Sequence, residues 1–397
     1  MADAPRERPA FCSSRLARVQ DKVNTRNGDT MSPPHPFGHH FLIGLEPSTR
    51  LTEHDRRILE ALSPAGVIFF TGSFAPEAPY EQWLELYRQL LADVRSAIGR
   101  ERIIVSIDHE GGRVYRPPPP MTSFAYAREW PGQAEAVGRA MGIELRSLGV
   151  NVNFAPVVDV DSNPDNPVIG PRSFGKTPEQ VIEAAIPFIR ALEAEGVAGC
   201  PKHFPCHGDT SVDSHRELPV VDREFEELER IELAPFRAAV EAGVRLVMTA
   251  HVLFPAVDPE EPATLSHAIT TGLLRERLGF EGVVVTDDIG MHAVSDVFQR
   301  GGAAADCIRA GVDLIDICAF GLDTELALEL ADEIARAQQS GALGDELLAE
   351  SRARIEKLLA ELPQHPIERL EPELFERHAR LAPLHDPSGQ GTGTWQP

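Results

Sequence analysis

Residues 202–215, Lys-His-Phe-Pro-Cys-His-Gly-Asp-Thr-Ser-Val-Asp-Ser-His, crowd Lys202, His203, His207, Asp209, Asp213 and His215 into one stretch that Pro205 and Gly208 keep from becoming helical. Imidazole and carboxylate are suitable metal ligands, so His203, His207, Asp209 and His215 could hold zinc or iron, although their spacing matches neither H-x-H nor HExxH. Alternatively, Asp213 and His215 form a dyad. Two residues apart in extended backbone, their side chains point the same way. A carboxylate that accepts from one ring nitrogen then leaves the other to exchange protons with a substrate. A Cys206–His207 nucleophile is conceivable, but neighbours in a strand point apart. A solvated loop without chemistry is the remaining alternative.

A further acid stands in Gly-Val-Val-Val-Thr-Asp-Asp, 282–288. If Val285 faces inward, alternation turns Asp287 inward too, whereas Asp288 reads as the N-cap of a helix resuming at Ile289. A carboxylate on one side of a site and a proton donor on the other is what double-displacement glycosyl transfer requires: one attacks the anomeric carbon and the other protonates the leaving oxygen. A histidine with an aspartate partner can take the second role, because its pKa already lies near neutrality.

Such groups need strand ends to carry them. Eight short apolar runs, at 41–45, 66–70, 103–108, 150–157, 196–204, 245–252, 282–288 and 312–318, alternate with stretches of helical period. This rhythm over ~280 residues predicts a single (β/α)₈ barrel, in which reactive side chains project from the C-terminal strand ends. Several of those ends are strongly polar, at 106–113, 201–215, 249–251 and 286–288. Thr177-Pro178-Glu179-Gln180 reads as a capped helix start, and Ser266 with Ile269, Leu273, Leu274, Leu278 and Gly279 reads as a complete helix with its stop.

The chain has 397 residues, is 42 % hydrophobic and carries 38 basic against 61 acidic side chains. The first two figures provide for a substantial core. The net charge of −23 repels phosphate backbones and anionic lipid, so neither nucleic acid nor membrane is an expected partner. There is no apolar run of membrane-spanning length and no apolar core of a secretory signal, which predicts a cytoplasmic protein. Cys12, Cys200, Cys206, Cys307 and Cys318 are scattered and without a CxxC pair, so neither a disulfide scaffold nor a zinc ribbon is expected. Residues 1–37 read as a disordered extension, 38–380 as the catalytic domain with closing helices at 323–340 and 345–362, and 381–397 as a flexible tail.

The run KHFPCHGDTSVDSH resembles the KHFPGHGDTxxDSH signature of the β-N-acetylglucosaminidases of glycoside hydrolase family 3, the branch acting in peptidoglycan recycling. IDHEGGRVYR (107–116), FAPVVDVDSNPDNPVIGPRSFG (154–175), MTAHV (248–252), PATLS (262–266) and GVVVTDDIGM (282–291) are similar to that family as well. The resemblance covers about 40–320. It implies that Asp287 is the nucleophile that forms a covalent glycosyl-enzyme, that His215 is the acid/base and that Asp213 orients it. It further implies that Asp108, Arg116, Arg172, Lys202 and His203 hold the N-acetylglucosamine ring. His251 divides evenly between a core histidine and a substrate contact. Two positions depart from the signature. Cys206 stands where glycine is usual, which would restrict φ in the acid/base loop, and His109 stands where glutamine is usual. The α/β-sandwich domain of the β-glucosidase members has no counterpart after the eighth run. The expectation is a monomeric hydrolase without metal or cofactor, removing terminal β-linked N-acetylglucosamine from anhydro-muropeptides. The alternatives are a phosphorylase on the same scaffold, a metal-dependent hydrolase and a non-catalytic amino-sugar-binding protein.

Overall fold

The computed structural model describes residues 33–385 apart from 131, 215 and 320–322. The eight apolar runs form the strands β1 (Phe41–Gly44), β2 (Gly66–Phe69), β3 (Ile104–Ile107), β4 (Val152–Asn153), β5 (Ala198–Gly199), β6 (Leu246–Thr249), β7 (Val283–Thr286) and β8 (Ile315–Ile317). All their pairings are parallel, in the order β5-β4-β3-β2-β1-β8 and, separately, β6-β7. Parallel bridges from Phe204 to Thr249 and from Val285 to Leu314 join the two groups, so the ring of strands closes. At least one helix follows each strand, as parallel neighbours require.

Alternation along the strands divides the core in two. Leu42, Ile68, Ile104, Leu246, Val285 and Leu314 fill the interior of the ring, while Ile43, Val67, Val105, Val247, Val284 and Ile315 face the surrounding helices. The inner cluster also contains Ile355, Leu358, Leu359 and Leu362, from the end of the helix Asp345–Glu361, which seals the ring at its N-terminal end. Buried Asp313 secures that seal: it accepts from Arg275 and the Val284 N–H on one oxygen, and from Ser351 and Arg354 on the other.

The local signals hold with differences of detail. Thr177 caps the helix Pro178–Ala194 by accepting from the Gln180 N–H, but Gln180 reaches back to the Lys176 N–H rather than to the cap itself. Ser266 caps its segment by accepting from the Ile269 N–H, and Gly279 ends it with φ of +74°. The turn between, Ala268–Arg277, is a π-helix, a widening that apolar spacing does not reveal. At the two ends of the predicted domain the boundaries shift. Phe37 is buried in the core, and residues 383–385 pair antiparallel with 123–125 through backbone hydrogen bonds of 2.8 Å, bonds that depend on no side-chain pattern. The rest of the expected head and tail lies outside the described residues. Among the described residues no helix is long and apolar enough to cross a membrane.

Five buried histidines, His39, His40, His109, His207 and His251, have their pKa lowered chiefly by burial, to about 2 for His39 and about 4 for His109 and His207. The unfolded chain therefore takes up protons below ~6.5 that the folded chain does not. Stability is expected to fall as pH drops from ~6.5 to about 4. Glu232, raised to about 7 by burial, opposes this with a smaller contribution of the other sign. Melting temperature recorded across that window checks the balance, and a flat profile would contradict it.

Candidate active site at the C-terminal mouth of the barrel

The ends of β3, β5 and β7, with the loops after β4 and β5, enclose a cleft of about 480 Å³. Its lining includes Asp108, Arg116, Arg172, Lys202, His203 and Asp287, all singled out in the sequence, together with Asp213. His215 lies outside the described residues.

The floor is a chain of alternating charge. Lys202 Nζ, with its side chain 4 % exposed, donates to Asp108 at 2.8 Å and lies 2.7 Å from Glu110 Oε1. Arg172 forks onto the same Glu110 through bonds of 2.8 and 2.9 Å, and Arg116 approaches Asp108 at 3.4 Å. Burial disfavours charge on Glu110, Lys202 and Arg172. Yet the Arg172 and Lys202 charges hold Glu110 well below the carboxylate range, and Asp108 and Glu110 hold Lys202 above the usual ammonium range. Glu110 was not singled out in the sequence. Its position two residues beyond Asp108, on the same polar strand end, was the available signal.

Asp287 stands at the end of β7 with its N–H on the Thr249 carbonyl, and it accepts from the Asp288 N–H at 2.9 Å. Burial would raise its pKa, but His203, His251 and Lys202 outweigh that and bring it down to about 2. The carboxylate is thus ionised and aimed into the cleft at neutral pH. Asp288 does not cap a helix at Ile289. Its Oδ1 accepts from the Gly290 N–H and from the Cys318 N–H on the β8 end, closing an Asx turn, and the next helix begins only at Ser295. His251 is the core histidine of its two alternatives: it is 1 % exposed, with one ring nitrogen on Thr264 and the other on the Asp288 carbonyl.

The 206–214 loop is tethered at several points. Asn166 donates to the carbonyls of His207 and Gly208, and Asn163 to those of Asp209 and Thr210. A Cβ on Gly208 would lie 1.9 Å from the Val160 carbonyl oxygen, so only glycine permits that approach. His207 is uncharged at neutral pH and spans the loop, with ring nitrogens 2.8 Å from Thr210 Oγ1 and 2.9 Å from Ser214 Oγ. His203 Nδ1 is engaged by Asp159 and Asp209 by Arg223, so the described members of the possible metal set direct these atoms to protein groups. Cys206 brings no backbone strain, because Ser63 is the one described residue other than glycine with positive φ. Its buried sulfur accepts from the Gly208 N–H. The Asp213 carbonyl accepts from the N–H groups of Arg216 and Glu217, a turn rather than the extended backbone assumed for the dyad. His109 is buried and does not line the cleft.

This arrangement offers an ionised carboxylate beside a polar floor that can exchange its internal ion pairs for sugar hydroxyls. The glycosyl hydrolase family 3 N-terminal domain matches residues 42–358. Beta-hexosaminidase A of Pseudoalteromonas piscicida is 39 % identical over 307 residues, 71 % of this chain. The chain spans about half of that longer protein, 51 %. The beta-hexosaminidase of Methylococcus capsulatus is 36 % identical over 68 % of this chain and 80 % of its own length. Among solved structures, a glycoside hydrolase family 3 β-N-acetylglucosaminidase from Paenibacillus sp. superposes with a TM-score of 0.79 at 35 % identity, covering 89 % of this chain and 69 % of that one.

Proposed function

Because the chain belongs to glycosyl hydrolase family 3 through its N-terminal domain, we propose that it is a retaining exo-β-N-acetylglucosaminidase with Asp287 as nucleophile, His215 as acid/base and Asp213 as the group that orients it. Asp287 attacks C1 while His215 protonates the departing oxygen. Water, deprotonated by His215, then cleaves the resulting ester. Asp108, Lys202, His203, Arg116 and Arg172 receive the sugar ring. The substrate is a muropeptide ending in β-linked N-acetylglucosamine on 1,6-anhydro-N-acetylmuramic acid, met in the cytoplasm, and the barrel supplies both catalytic groups.

The observation that carries this reading is an aspartate held at about 2 in the same cleft as the Asp108–Lys202–Glu110–Arg172 chain and Asp213. A 5-fluoro N-acetylglucosaminyl fluoride tests it. Mass spectrometry of the digested protein should find the label on the peptide containing Asp287, and a label elsewhere would refute the assignment. His215→Ala should slow cleavage of unactivated disaccharides by ~10²–10⁴-fold while affecting nitrophenyl substrates far less, since a nitrophenolate leaves without a proton. Equal losses on both would remove His215 from the acid role.

A further inference from the structure

We propose that Asp159 is a positioning residue that fixes the nucleophile and the acid/base loop from a single buried point, an inference that rests on the reading of Asp287 and His215 above. Asp159 follows β4 and is 1 % exposed. Its Oδ2 accepts from His203 Nδ1 at 2.7 Å and from the His203 N–H at 3.2 Å, while Oδ1 accepts from the His207 N–H at 2.6 Å.

Each contact leads to one side of the cleft. Through His203, the far ring nitrogen Nε2 stands 3.9 Å from Asp287 Oδ2, so an imidazole ring lies between two carboxylates. Through His207, the ring hydrogen bonds to Thr210 and Ser214 hold the loop that leads to Asp213 and His215, and the Ser214 carbonyl accepts from the Ala293 N–H beyond β7. Both Asp159 oxygens are occupied by donors. Asparagine has one oxygen and would set an amide NH₂ against a donor on one side or the other.

Charge matters as well as shape. Around Asp159 stand His203, His207, Arg172, Cys206 and Glu232. Asp287 is faced by His203 and Lys202 from the β5 end, His251 from the β6 end, Arg172 from the loop after β4 and Asp316 from β8. His203 leads the groups that keep Asp287 ionised, and the two hydrogen bonds to Asp159 hold its ring against that carboxylate. Without Asp159 the ring is released and Asp287 is harder to ionise.

The test compares Asp159→Asn with Asp159→Glu, measuring kcat and KM on a nitrophenyl N-acetylglucosaminide across pH. The asparagine variant should lose on the order of 100-fold in kcat/KM, mostly in kcat, with its acid limb moved to higher pH. The glutamate variant keeps the charge, so it should lose rate while its acid limb stays where the unaltered protein has it. An unmoved limb in a folded asparagine variant would overturn the inference. Should that variant fail to fold, His203→Gln removes the ring through which Asp159 acts and must shift the limb likewise, or the inference falls. Absence of hydrolysis by the unaltered protein would instead refute the glycosidase reading itself.

Discussion

Asp287→Ala is expected to lower turnover by at least ~10⁴-fold while leaving the fold and sugar binding in place. The neighbouring acids of the floor are committed elsewhere: Asp108 and Glu110 are paired to Lys202, and Asp159 is enclosed by His203 and His207. Asp287 is instead ionised by its surroundings and aimed into the cleft. The structural cost of losing it is small, because among the described residues its side-chain hydrogen bond is to the Asp288 N–H in its own turn. Circular dichroism and calorimetric titration with N-acetylglucosamine should therefore match the unaltered protein. Added azide could occupy the vacated space and attack the same carbon, giving a glycosyl azide of inverted configuration. Normal turnover in an uncontaminated preparation would eliminate the covalent mechanism.

Lys202→Met is expected to damage stability and binding together. The ammonium lies 2.8 Å from Asp108 and 2.7 Å from Glu110, with all three side chains largely withdrawn from water. Methionine fills similar volume but, among the described residues, leaves Asp108 with the 3.4 Å approach of Arg116 and Glu110 with Arg172. Removing one partner of a buried ion pair costs about 3–5 kcal/mol, because the survivor remains buried without compensation. Denaturant titration should show that loss, and N-acetylglucosamine affinity should fall with it. A variant of undiminished stability would mean that water reaches these carboxylates freely.

The strands were legible because β1 to β8 each announce themselves as a short apolar run between polar turns. Asp287 was legible because alternation from Val285 decides its direction. Asp159 and Glu110 were not singled out, since their importance comes from donors far along the chain: His203 and His207 lie 44 and 48 residues after Asp159, and Arg172 lies 62 after Glu110. Hydrophobic period carries no information about such partners. The same limit explains Asp288, whose carboxylate answers to the backbone of Cys318 on the neighbouring strand rather than to a helix of its own. For Cys206, the concern about a restricted φ dissolves because the backbone there has no need of glycine's freedom.

The helix end lodged beneath the strands, with Ile355, Leu358, Leu359 and Leu362 inside the ring, makes the reaction chamber a cul-de-sac. On the mechanism proposed above, a sugar would enter from the opposite, C-terminal mouth, and the severed fragment would have to vacate that mouth before a water molecule could approach the ester. Hydrolysis would thereby be ordered by traffic as well as by chemistry, and a bulky first product that lingers at the entrance would slow the second step without touching any reacting atom.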